Sequence, residues 1–317
     1  MARWQWYLQL ARASNLPTVW TNALAAWALA GGGWNPLAWL WLALAGSLLY
    51  AGGCTLNDAF DAAWDREHRP ERAIPSGALS AREVWLVGSL ELLGGLAVLV
   101  QFGWPVLASG AGVVVAILLY DWLHKKSPWA VLLMGWCRAQ WVLTAGWAAA
   151  GKPSASVLFY ASALLTYIVV ISLSARRESL VSHKVHAWER AQLQEKIKDR
   201  AGDQTIPIPN PALRWFRRIF STVFVGLVMV GAFAFRPLAD ALSYFLLMIL
   251  FIVHFEIISQ AMLLKGRAGI GTFVARALAG IVLLDAAFAC LAWGWSGLWL
   301  LCFWPLCLLL QRRIAAT

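Results

Sequence analysis

Charge is scarce in this sequence. Only 13% of its 317 residues are Asp, Glu, Lys or Arg, against 61% hydrophobic residues, and mean hydropathy is +0.64. That scarcity excludes a soluble globular domain, which could not hide so much apolar surface from water. Cysteine is also sparse. Cys54, Cys137, Cys290, Cys302 and Cys307 lie in or beside apolar segments, with no CxxC or Cys/His spacing. Neither a disulfide framework nor a zinc site is indicated. Arg3 and Arg12 flank polar residues rather than a short apolar region with a cleavage site, so no cleavable signal peptide is expected.

What the chain does have is apolar runs from one end to the other. Crossing a bilayer takes about 20 apolar residues. Runs of that kind fall at 16–30, 37–56, 84–102, 106–123, 129–150, 155–173, 215–235, 239–264 and 270–293, with a last one at 298–310. The expected fold is an all-α polytopic membrane protein, a single domain over 1–317. Its nine to ten transmembrane helices would surround a central lipid-accessible cavity. Many of the 21 tryptophans, among them Trp4, Trp34, Trp104, Trp129 and Trp293, fall at the ends of runs, where an aromatic belt would place them.

The net charge of +10 does not point to nucleic acid, because the Lys and Arg residues sit in short loops between apolar runs. They cluster after the second, fourth, sixth and eighth runs. The positive-inside bias makes those loops (57–80, 121–128 and 175–214 among them) and the N-terminus cytoplasmic, in a bacterial inner membrane. If the last run crosses, Arg312 and Arg313 join the same side and the count is ten. If it does not, the count is nine spans and a shorter terminal element.

The second apolar run leads into Asn57-Asp58-Ala59-Phe60-Asp61-Ala62-Ala63-Trp64-Asp65. On a helix, Asp58, Asp61 and Asp65 stand at i, i+3 and i+7 and share a face, with Asn57 joining it. Carboxylates this close repel one another. The arrangement makes sense with a cation between them, and oxygen ligands alone favour a hard one, Mg²⁺. Mg²⁺ fills its remaining positions with water and phosphate oxygens, which points to a diphosphate. The bland alternative is a solvated acidic helix end. Arg72, Lys125, Lys126, Arg138, Arg176 and Arg177 are the basic side chains that would face the diphosphate.

These residues carry a resemblance. Asn57-Asp58-x-x-Asp61-x-x-x-Asp65 resembles the first Asp-rich motif, NDxxDxxxD, of the UbiA superfamily of intramembrane prenyltransferases. Arg72-Ala73-Ile74-Pro75-Ser76-Gly77 resembles the run that follows it there, with Ala73 in place of Pro. Ala11-Arg12-Ala13-Ser14-Asn15-Leu16-Pro17-Thr18 is similar to the start of the family's first helix. Tyr120-Asp121-Trp122-Leu123-His124-Lys125 is similar to its YxxxK region, with Lys125 one place late and His124 in the Lys position. The family's second Asp-rich motif is missing. Ser174-Ala175-Arg176-Arg177-Glu178 stands there, so Arg176 and Arg177 replace a second metal or Glu178 alone helps to hold it. A divergent, EboC-like branch is one reading of that departure.

The resemblance implies Mg²⁺ on Asn57, Asp58, Asp61 and Asp65, binding a prenyl diphosphate in a lipid-exposed bundle. Asp58, Asp61, Arg176 and Arg177 would be catalytic. Asn15, Asn57, Arg72, Tyr120, Lys125, Lys126, Arg138 and Glu178 would hold substrate. Ionisation of the allylic C–O bond would leave a cation for a small aromatic acceptor to capture. A membrane terpene cyclase, which quenches the cation within its own chain, and a transporter are the alternatives. No internal repeat favours the transporter. Within the apolar runs, Asn22, Glu91, His254, Glu256 and Asp285 are either functional or satisfied interhelical groups. His183 and His186 read as part of a solvated loop helix over 182–200, and Ile206-Pro207-Ile208-Pro209-Asn210-Pro211 cannot be helical.

Overall fold

The computed structural model describes residues 2–173, 242–265 and 269–314, together with Gly226. Every regular element among them is helical. In chain order they are α1 (Arg3–Leu10), α2 (Leu16–Leu29), α3 (Pro36–His68), α4 (Ala81–Leu99), α5 (Trp104–Leu123), α6 (Ala130–Ala150), α7 (Ala155–Leu173), α8 (Leu242–Lys265), α9 (Ile270–Trp293) and α10 (Phe303–Gln311). Among the described residues six segments are long and apolar enough to cross a membrane: α3, α4 with the 3₁₀ turn after it, α5, α7, most of α8, and α9 continued through α10. The expected run 215–235 and the polar segment 175–214 lie outside the described residues, apart from Gly226.

α2 is the hub. It packs on α3, α6, α9 and α10, and nearly every residue from Pro17 to Leu29 is buried. Its sequence is rich in alanine, which lets neighbouring helices approach closely. One large core cluster joins α2 to α3, α5, α6, α7, α8 and α9.

α3 decides where the site lies. The Asn35 side chain caps it by accepting from the Ala38 amide at 3.1 Å, and Pro36 occupies its first turn. It then runs unbroken for 33 residues, about 50 Å at 1.5 Å per residue. That exceeds the roughly 30 Å of bilayer hydrocarbon by about 20 Å. The acidic stretch, read from sequence as the start of the loop 57–80, is instead the overhanging last turns of the same helix. A loop from Arg69 follows, and α4 begins at its Ser80 cap, which accepts from the Glu83 amide at 3.2 Å.

The terminal run takes an unexpected form. Gly294 (φ +57°) lets the chain leave α9, and residues Gly294–Cys302 form 3₁₀ helix before α10. The 3₁₀ rise of about 2.0 Å per residue stretches these nine residues to about 18 Å, and α10 adds about 13 Å. Eighteen residues thereby travel roughly as far as a full span. The run returns along α9: Cys307 packs with Ala279 and Val282, and Gln311 Nε2 donates to the Ala275 carbonyl at 2.8 Å.

Candidate active site

Asn57, Asp58, Asp61 and Asp65 do share one face of α3, and all four are buried. That excludes the solvated helix end, for which the carboxylates would face water. Each pairs with cationic or polar groups from another segment. Arg72, reaching back from the loop after α3, places Nη1 2.6 Å from Asp58 Oδ1 and Nε 3.9 Å from Asp65 Oδ2. Two α5-end side chains grip Asp61: His124 Nε2 lies 3.1 Å from Oδ1, and Lys125 Nζ lies 3.2 Å from Oδ2. Lys125 also sits over the Trp64 ring, 3.8 Å from its centroid. His124 and Lys125 thus act on one carboxylate together, which resolves the shifted register of the YxxxK-like stretch: both positions reach the site.

Arg12 was not read as a site residue. Its Nη2 donates to Asn57 Oδ1 at 3.3 Å and stands 3.7 Å from Asp58 Oδ1. It is also the one non-glycine residue with positive φ among the described residues (φ +44°). A left-handed backbone at a residue with a side chain is strained, and such strain gathers at functional sites. Nothing in Ala11-Arg12-Ala13 signals it. Asp121 went unassigned too. It is buried on α5, and its Oδ1 accepts from Asn57 Nδ2 at 3.0 Å. The available signal was a carboxylate inside an apolar run.

Of these groups Arg12, Asn57, Trp64, Asp121, His124 and Lys125 border a cavity of about 840 Å³, whereas Asp58, Asp61, Asp65 and Arg72 are not among its lining residues. Asn15, Asn57, Tyr120, Asp121, His124, Lys125 and Arg138 supply its polar lining, and residues such as Val19, Leu49, Val113, Ile117, Met134 and Ile168 supply apolar walls. Tyr120 stacks on His124 with ring centroids 5.1 Å apart. Asn15 Nδ2 donates to the Tyr50 hydroxyl at 3.2 Å.

Two expected ligands are placed elsewhere. Lys126 turns to the Trp122 ring, 4.5 Å away, and does not border the cavity. Arg138 borders the cavity but in a second polar set deeper in the bundle. Its guanidinium lies 5.0 Å from the Tyr50 ring centroid, eight residues and so about 12 Å along α3 from Asp58. Its Nη1 donates to Asn22 Oδ1 at 2.9 Å. Asn22 Nδ2 in turn donates to Asp285, at 3.0 and 2.9 Å to the two oxygens. Tyr160 and Thr21 hydroxyls donate to the same carboxylate at 2.6 and 2.5 Å. Asp285 is fully enclosed and satisfied, so it reads as an interhelical tie. His254 Nε2 meets the Arg276 carbonyl at 3.1 Å. Arg176, Arg177, Glu178, His183 and His186 lie outside the described residues.

The residues fit a hard divalent cation by their donor chemistry. Two buried carboxylate oxygens at the site, Asp65 Oδ1 and Asp121 Oδ2, have no hydrogen-bond partner among the described residues. Among the described residues no three Asp, Glu, His or Cys side chains converge as a ready-made cage.

Residues 18–179 match the profile of the UbiA prenyltransferase family. The chain belongs to that family. Among UbiA relatives, the mitochondrial 4-hydroxybenzoate polyprenyltransferase of Drosophila pseudoobscura pseudoobscura is 31% identical over 170 residues, which cover 52% of this chain and 42% of the relative. The chain therefore matches less than half the length of that relative. The UbiA homolog of Aeropyrum pernix K1, solved in its apo form, superposes with a TM-score of 0.62 at 20% identity, covering 87% of this chain and 96% of the other. The UbiA homolog of Archaeoglobus fulgidus bound to GPP and Mg²⁺ gives 0.52 at 17% identity, covering 87% and 99%. At these identities the structures establish the UbiA fold, a multi-pass helical membrane protein. The mitochondrial relative does not single out a bacterial inner membrane.

Proposed function

We propose that this protein transfers a prenyl group from a prenyl diphosphate to a small aromatic acceptor. One observation carries the reading: Asn57, Asp121, Arg12, His124 and Lys125 border a cavity of about 840 Å³ with largely apolar walls, and the buried Asp58 and Asp61 lie directly behind Arg12, His124 and Lys125. A lipid-tailed diphosphate has those same two halves. The relatives named as 4-hydroxybenzoate polyprenyltransferases and the GPP-bound homolog support it.

Mg²⁺ is the proposed cation, with Asn57, Asp58, Asp61 and Asp65 as the residues that would hold it. When bound, it neutralises phosphate oxygens and weakens the bond to the leaving group. The chain's own residues do the rest. Arg72, Arg12 and Lys125 stand where the departing diphosphate gathers charge, and Arg72 and Arg12 can offer it paired N–H groups. Arg176 and Arg177 are proposed to add charge from the segment after α7, with Glu178 beside them. Tyr120 and Tyr50 present aromatic faces to the allylic cation. The apolar walls keep water from capturing it before the acceptor does. The loop charges support a cytoplasmic rim.

The test is incubation of purified protein with labelled geranyl diphosphate, Mg²⁺ and 4-hydroxybenzoate. A joined product is expected. A cyclised hydrocarbon would make the protein a terpene cyclase, and intact substrate throughout would sink both readings.

A further inference from the structure

The acids at the rim are not treated alike. Asp61 has Lys125 and His124 within 3.2 Å, and Asp58 has Arg72 at 2.6 Å. Among the described residues Asp121 has no cationic side chain within 4.0 Å of its carboxylate. It is 5% exposed, its Oδ1 is held by the neutral amide of Asn57, and its Oδ2 has no partner among the described residues. Its neighbours have other engagements. Arg12 is bonded to the far side of Asn57. His124 turns Nδ1 to the Asp121 backbone carbonyl, 3.0 Å away, and Nε2 to Asp61.

A buried carboxylate with an unpaired oxygen is costly unless something completes it. The local field makes the need greater. Asp121 lies two residues from the end of α5 at Leu123, and a helix C-terminus carries partial negative charge that favours a cation. Asp121 borders the cavity beside Asn57, so a partner can arrive from there once the enclosed Oδ2 is turned toward it. An oxygen pair backed by an amide suits a hard divalent cation better than a soft one.

We propose that Asp121 is a cation ligand, holding a divalent ion that carries the diphosphate from the α5 side of the cavity, opposite the α3 carboxylates. This rests on the proposed function and extends it. The segment Ser174–Glu178 has a single acid, so α5 supplies the carboxylate that segment lacks. Asp121, Asn57 and Asp61 would then share the ion with phosphate oxygens and water, which is the sparse protein ligation that Mg²⁺ accepts.

The experiment counts bound Mn²⁺ by electron paramagnetic resonance, with inorganic pyrophosphate present, in full-length protein in detergent. Wild type, Asp121→Asn, Asp121→Glu and Asp61→Asn are compared, with thermal unfolding as the check on folding. Asp121→Asn is expected to stay folded, because it removes an unpaired buried charge, and to bind Mn²⁺ at least about tenfold more weakly. Asp121→Glu, which keeps the carboxylate, is expected to recover most of the affinity. If Asp61→Asn loses Mn²⁺ while Asp121→Asn binds as many ions with unchanged affinity, the Asp121 assignment is overturned and the proposed function stands. Slower prenyl transfer by Asp121→Asn with unchanged Mn²⁺ binding would also overturn it, by placing the residue with the acceptor. If wild type binds no Mn²⁺ with pyrophosphate, both fall. Should Asp121→Asn fail to fold, Asp121→Glu decides: a folded Glu variant with no Mn²⁺ affinity counts against a carboxylate ligand at this position.

Discussion

Arg72 Nη1 lies 2.6 Å from Asp58 Oδ1, fourteen residues back along the chain. The loop after α3 is thereby folded over the end of the helix it leaves. In the proposed reading this guanidinium supplies positive charge to the diphosphate, and its pairing with Asp58 holds it in place before substrate arrives. Arg72→Gln should raise the KM for prenyl diphosphate by roughly ten- to a hundredfold, with a smaller effect on kcat. Arg72→Lys should fall between, because a point charge cannot reproduce a paired N–H contact. Steady-state kinetics with geranyl diphosphate would settle it; an unchanged KM removes Arg72 from the site.

Asp61 is held between two side chains from the end of α5, His124 and Lys125. Asp61→Ala should cut turnover by about a hundredfold or more, the scale seen when a central electrostatic contact is removed. The protein should still fold, since His124 and Lys125 sit near the rim and can turn to water. Activity assays paired with thermal unfolding test both halves, and wild-type turnover in a folded variant refutes the role.

Arg12 allows backbone and side chain to be separated. Its φ of +44° is easy for glycine and strained for alanine. Arg12→Gly should be more stable than Arg12→Ala by about 1 kcal/mol, while both bind diphosphate poorly. The comparison is a pair of unfolding curves in the same detergent. Equal midpoints would mean that the left-handed turn relaxes.

Asp285 should matter for stability rather than chemistry. Asp285→Ala leaves donors on Thr21, Asn22 and Tyr160 buried without an acceptor. A loss of about 3–5 kcal/mol is expected, against much less for Asp285→Asn, which keeps one carbonyl oxygen. A folded Asp285→Ala variant of undiminished stability would show that the three helices are tied some other way.

Much of this was legible in the sequence. Apolar length placed α9 at 270–293, where it is found, because a span has to be continuous and apolar. The spacing of Asp58, Asp61 and Asp65 revealed their common face, because helical period is local. Partners from other helices were harder to see. Arg138 looked like a phosphate ligand by charge alone, and its link to Asn22 exists only once α2 and α6 are packed. The return of the terminal run was left open, because 298–310 is short for a span and nothing in it announces the 3₁₀ stretch that lengthens it. Arg12 and Asp121 were passed over for a similar reason: a strained φ and an orphaned oxygen are properties of the folded chain.

The overhang of α3 sets the height of the carboxylates relative to the lipid. About 20 Å of that helix projects past a typical hydrocarbon layer, so thicker or thinner bilayers would drown or lift the rim. Nanodiscs made from short-, medium- and long-tailed phospholipids would therefore act as a dial on how readily a water-borne headgroup reaches Asp58 and Asp61, with no change to the polypeptide at all.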